Sequence, residues 1–289
     1  MSGRPGTWLE SSIALMLLIS MVAFPMLWIA AYSLLYSFGG LGQLRSGWTI
    51  NHWQAALGNL HVGTSLIYSA VLAGVVVLFG TMFAMGLCGL LHDLRRHRIV
   101  VMLLSLPAVT PAVVVAMIAL QWLNPGGLLA RIAFHGGIVR SPEDFPVLVQ
   151  DRWSFGICVA GLFSVVPLLT LIFLRIWDVA KIDRYLMLAE TLGASRLLAM
   201  FRIAVPMLLH RSRAMIVYVF LVQFGSFEVP LLLGRQFPET ISVLAHRRSG
   251  QFDLLQRPQA FVVASAYMVV VVGGMMMVQE LRSRRDQSA

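Results

Sequence analysis

The sequence predicts an all-α, polytopic membrane protein of six transmembrane helices, on three observations. Of its 289 residues, 58% are hydrophobic and 12% charged, about half the charged fraction of a soluble domain. Six apolar runs reach or approach the roughly 20 residues a helix needs to cross the hydrocarbon layer. Between them lie polar or Gly/Pro-rich stretches such as SFGGLGQLRSGWTINHW and NPGGLLARIAFHGGIVRSPEDFP, whose irregular backbone lipid could not satisfy.

Taken in order, the first run covers residues 12–38 and follows Arg4. It exceeds the length of a signal-peptide core and no A-x-A site follows, so it is expected to remain as the first span. The second and third runs, 65–91 and 99–123, are joined by the tight turn HDLRRHR. The fourth is 154–177, the fifth 214–233, and the sixth 260–279 ends in the basic tail RSRR. The chain 1–289 therefore reads as a single transmembrane domain. Six spans put both termini on one side. Basic side chains concentrate beside the spans on that side, and the positive-inside rule makes it cytoplasmic. The net charge of +9 belongs to these clusters at a membrane surface rather than to nucleic-acid binding.

The stretch 178–213, between the fourth and fifth runs, is expected to be cytoplasmic and reads as two short amphipathic helices. DRYLMLAETLGAS sets Leu186, Ala189 and Leu192 at helical spacing, with Gly193 as the stop. RLLAMFRIAVPML follows, with Pro206 expected to mark a break. Apolar faces on both pieces require a packing partner outside the bilayer.

In this stretch the sequence resembles the permeases of type I ABC importers. Their signature is E-A-A, three residues, G, nine residues, I, one residue, L-P. Here Gly193 is followed after nine residues by Ile203, then Ala204, Val205 and Pro206. Ala189 falls on the second alanine, and Asp183 matches an acidic residue often found before the motif. Met187 and Leu188 stand where the signature has its glutamate and first alanine, while Glu190 lies within one helical turn of that position. The resemblance extends over roughly residues 65–279, including Pro107 and Pro111 in the third run and Pro167 in the fourth. FGSFEVPLLLG and PETISVLAHR resemble the branch that moves polyamines, ferric iron, thiamine or phosphonates.

The resemblance implies a permease subunit in the inner membrane of a bacterium, working by alternating access. Residues Asp183, Ala189, Glu190, Gly193, Ala194, Ile203 and Pro206 would form a coupling helix that docks on a dimer of ATPase subunits. A second permease subunit is implied, and the altered signature favours a paralogue over a copy. A periplasmic or extracellular solute-binding protein completes the set. ATP and Mg would belong to the ATPase.

The chain itself holds no G-x-x-x-x-G-K-[ST] motif and a single lysine, Lys181, so no nucleotide chemistry is expected on it. No residue pattern suggests a catalytic site. Cys88 and Cys158 lie inside apolar runs and form no disulfide framework, and the seven histidines have no metal-ligand spacing. Glu228, near the end of the fifth run beside Gly225, Ser226 and Phe227, is an ionisable group in an apolar segment. Such groups face a partner or a watery path: either a contact for a cationic solute or half of an ion pair with Arg235, Arg247 or an arginine of a partner subunit. A secondary carrier or channel subunit without an ATPase is the alternative class, distinguished by internal inverted repeats and several midplane charges.

Overall fold

The computed structural model describes residues 14–41, 47–94, 97–250 and 257–286. Arg4, Arg95 and Arg96, which contribute to the expected orientation, lie outside the described residues, as do residues 12 and 13. Among the described residues the regular structure is entirely helical, and six helices are long and apolar enough to cross a membrane. In chain order the helices are α1 (Ala14–Ser37), α2 (Asn51–Leu57), α3 (Leu60–Leu91) and α4 (Arg98–Val109). Next come α5 (Ala112–Leu123), α6 (Leu128–His135), α7 (Phe155–Ala180) and α8 (Ile182–Thr191). The last are α9 (Arg196–Phe224), α10 (Glu228–Leu233), α11 (Ile241–Ser249) and α12 (Arg257–Asp286).

Two apolar runs are each divided. The run 99–123 holds α4 and α5, separated at Thr110, whose ψ of 123° is extended. Pro111 follows, and its ring disfavours helical backbone in the residue before it. The spanning helix of this region is Ala112–His135, shifted toward the C-terminus. The run 214–233 holds the end of α9 and the short α10, with residues 225–227 outside either helix.

Pro206 does not break its helix. A π turn, Met200–Ala204, precedes it inside α9, and Ile19–Ala23 stands in the same relation to Pro25 in α1. A proline ring clashes with the carbonyl four residues back, which is Arg202 or Met21. Both carbonyls fall inside a wide turn, whose i→i+5 pairing moves them out of the ring's way.

The chain forms two compact units. The first takes in α1, α2 and the start of α12. Phe261 packs on Tyr32 and Tyr36, with ring centroids 6.0 and 4.2 Å apart, and Ser33 and Ser265 hydroxyls meet at 3.2 Å. From Leu15 to Ile29, α1 carries large apolar side chains that are exposed.

The second unit carries the main core. Val76, Val165, Leu169, Phe173, Trp177, Ile182, Leu186 and Leu208 form one buried cluster. Val115, Ala119, Ile157, Val229 and Leu233 belong to another. Glycines let α3 and α7 cross closely: a Cβ on Gly80 would lie 2.6 Å from Val165 Cγ1, and one on Gly161 would lie 2.9 Å from Val76 Cγ1. Small residues serve this purpose in membrane helices, where packing rather than water drives association.

Candidate functional site

α8 begins with a sharp turn out of α7. Lys181 sits at φ +52°, in the left-handed region, and terminates α7 as α8 starts. Asp183 in the first turn of α8 accepts a 2.7 Å hydrogen bond from the buried indole of Trp177, fixing the angle of α8 to α7. One stripe of α8, Ile182, Leu186 and Ala189, packs into the main core. A second stripe is also apolar yet points outward: Tyr185 is 48% exposed, Leu188 59% and Leu192 81%, with Met187 beside them. Leu192, expected on the packed stripe, is thus on the open one; Ile182, one turn earlier, takes its place.

Gly193 ends the helix at φ +89°. Its N–H donates to Glu190 O and that of Ala194 to Ala189 O, both at 3.0 Å, the double bond of a Schellman stop. Ser195 then caps the next turn, its hydroxyl accepting from Leu198 N. Ile203 is half-buried against the core, Ala194 half-buried, and Pro206 exposed. Leu197 and Phe201, 71% and 69% exposed, add apolar surface at the start of α9.

Beside α8 lies an open hollow of about 490 Å³, walled by His92, Asp93, Asp183, Met187, Glu190 and Arg196. Here the turn after α3 meets α8 and the start of α9. His92 is 6% exposed and its ring lies 5.0 Å from that of Trp177. Nδ1 is 2.7 Å from Gly89 O and must donate to it, because a carbonyl only accepts. Nε2 has two neighbours: Arg196 Nη2 at 3.1 Å, which can only donate, and Asp93 Oδ1 at 3.2 Å, which can only accept. In the neutral ring protonated at Nδ1, Nε2 accepts from Arg196. Asp93 lies on the open side, its Oδ2 4.0 Å from the same Nη2. His92, Trp177 and Arg196 were not among the sequence candidates. The charge-rich turn HDLRRHR is the signal in the sequence, and by itself it speaks to topology alone.

The second candidate region is the break between α9 and α10. Gly225 caps α9, and Phe227 at φ −117° and ψ −52° precedes α10. Ser226 O accepts from Ser242 Oγ at 2.6 Å, and Ser69 Oγ on α3 accepts from Ile241 N at 2.8 Å. A cavity of about 20 Å³ adjoins the break, lined by Ser69, Val76, Gln223, Phe224, Ser226 and Thr240 among others; it could hold one water molecule. Of the four path candidates only Ser226 lines it. Glu228 stands at the first turn of α10, half-exposed, and has no ion pair or side-chain hydrogen bond among the described residues. The buried carboxylate of this region is Glu239, 6% exposed, in a stretch whose polar composition hides its burial. Among the described residues no three His, Cys, Asp or Glu side chains gather in a metal-binding group.

No family model and no curated protein sequence matches this chain. Solved structures do. One is a bacterial ABC transporter involved in the import of the acidic polysaccharide alginate, whose chain superposes with a TM-score of 0.66 at 15% identity, over 96% of this chain and 96% of that one. Another is the bacterial alginate ABC transporter in complex with alginate pentasaccharide-bound periplasmic protein, with a TM-score of 0.65, 15% identity and coverage of 96% and 94%. At this identity the likeness is one of fold, and it runs the length of both chains.

Proposed function

We propose that this chain is the permease subunit of an ATP-binding-cassette importer, in the bacterial inner membrane with both termini cytoplasmic. The observation that carries the reading is α8, which is anchored on one apolar stripe and open on another. A helix held rigidly to the core by Ile182 and Leu186 while presenting Tyr185, Leu188 and Leu192 is built to be pushed or pulled by a partner. Burying an apolar side chain contributes roughly 1.5–3 kcal/mol, so three of them give a worthwhile docking energy before the costs of association. The matched spacing from Gly193 to Pro206 and the whole-chain fold likeness support an ABC ATPase dimer as that partner. ATP and Mg bind there, and this chain does no hydrolysis.

In this reading a second permease subunit, a paralogue, completes the translocation path, and a solute-binding protein delivers cargo from outside. ATP-driven approach of the ATPase subunits moves the coupling segments and turns the path outward. The ATPase must favour one arrangement of those segments over the other, since equal affinity would shift nothing. The path includes the break at residues 225–227, where irregular backbone is tolerated only against protein or water, and Glu228 at the start of α10. The local resemblance to the polyamine, iron, thiamine and phosphonate branch suits a small solute, and Glu228 favours a cationic one.

A photo-crosslinking residue at position 188 or 192 tests the docking surface in intact membranes. Crosslinks to a nucleotide-hydrolysing subunit, abolished by Gly193→Glu at equal membrane abundance, are expected. Crosslinks only to lipid, or none altered by Gly193→Glu, would contradict the assignment.

A further inference from the structure

The contact between His92 and Arg196 joins the feet of two helices whose far ends meet again at the break. α3 is 32 residues, about 48 Å long, and α9 is 29 residues, about 44 Å. At the lower end, Gly89 and the turn after α3 hold His92, and α9 opens with Arg196. Higher up, Ser69 and Val76 of α3 and Gln223 and Phe224 of α9 line the same small cavity beside Ser226. Each helix is continuous between the two contact regions, α9 through its π turn at Met200–Ala204.

Three features make the lower contact a specific clamp. The Gly89 carbonyl fixes the ring and its tautomer, and Trp177 supports its face. Arg196, its side chain 62% exposed, donates a charge-assisted bond to the buried Nε2, with Asp93 Oδ1 3.2 Å from the same nitrogen. Trp177 in turn holds Asp183, so the clamp is tied to the docking helix as well as to both rods.

We propose that His92 is the positioning residue through which motion of the coupling segment is passed to α3, so that the Ser226 cavity opens when the partner drives α8. This rests on the function proposed above. The clamp acts through Arg196: His92 holds its guanidinium, and the guanidinium carries the start of α9.

The test uses the full chain in nanodiscs, alone and with ATPase subunits. His92→Phe keeps a ring against Trp177 and removes the ring-nitrogen contacts to Gly89, Arg196 and Asp93; His92→Gln keeps an acceptor for Arg196. In the chain alone, His92→Phe should raise amide hydrogen exchange about tenfold in residues 196–204, and His92→Gln should restore protection. In the complex, a Ser226→Cys reporter in a Cys88→Ala, Cys158→Ala background is labelled by a maleimide. Trapping with ATP and vanadate should raise the labelling rate tenfold or more in the parent, and less than twofold with His92→Phe, although the same amount of ATPase is bound. Unchanged exchange in the chain alone, or a full labelling response in His92→Phe, would overturn the clamp. If the parent binds no ATPase, the proposed function fails, while the exchange experiment still decides whether His92 holds Arg196.

Discussion

At Gly193 a Cβ would meet nothing within 4 Å, yet φ is +89°, so any substitution there is opposed by backbone strain rather than by a clash. Gly193→Ala should lower the stability of the detergent-solubilised chain by about 1–2 kcal/mol, and Gly193→Asn by less, because asparagine tolerates left-handed backbone. Thermal unfolding of the two variants side by side checks the order; equal losses would point to packing instead. Glu228→Gln removes a charge that has no protein partner among the described residues. Unfolding should therefore shift by no more than about 0.5 kcal/mol, as for an ordinary surface change. If Glu228 contacts a cationic solute, the same substitution should weaken apparent affinity by roughly ten- to a hundredfold, the loss of one charge-assisted contact. A large stability loss would instead reveal a buried ion pair. Residue-level reading succeeded where chemistry is local, as at Gly193, whose turn follows from its own backbone freedom. It could not find His92, because the acceptor role of that ring depends on Arg196, 104 positions away.

Hydropathy located the apolar segments, but it is blind to breaks between two apolar stretches. Val109 and Ala112 are both apolar, as are Phe224 and Val229, so no window average registers Thr110 or residues 225–227. Pro111 was a legible sign of the first break through its effect on the preceding residue. Pro206 pointed toward a break that does not occur, because the backbone widened into a π turn instead. The close crossing of α3 and α7 was hidden too, since a glycine in an apolar run does not name its neighbour. Gly80→Ala should destabilise the chain by about 1–3 kcal/mol, the usual effect of overpacking, because Val165 Cγ1 occupies the space at 2.6 Å. Gly74→Ala, on the same helix with nothing within 4 Å, should be neutral or stabilising by up to about 1 kcal/mol. Equal effects in solubilised stability would mean that α3 and α7 do not cross at Gly80.

For the whole molecule, six spanning helices with a basic excess on one side lead to an orientation. Single cysteines at His97 and Ser195 should resist a membrane-impermeant thiol reagent in intact cells, whereas those at Gly47, Ser141 and Ser249 should react. Labelling at 195 from outside would reverse the topology and remove the docking face from the cytoplasm. The most direct test is to purify the tagged chain from its native membranes in mild detergent, with subunits identified and ATP hydrolysis measured. A second membrane subunit and an ATP-hydrolysing subunit should co-purify in stable ratio, with the ATPase lost on Leu188→Glu while chain yield is unchanged. A chain that purifies without any ATPase, or whose ATPase survives Leu188→Glu and Gly193→Glu alike, would contradict the proposed function.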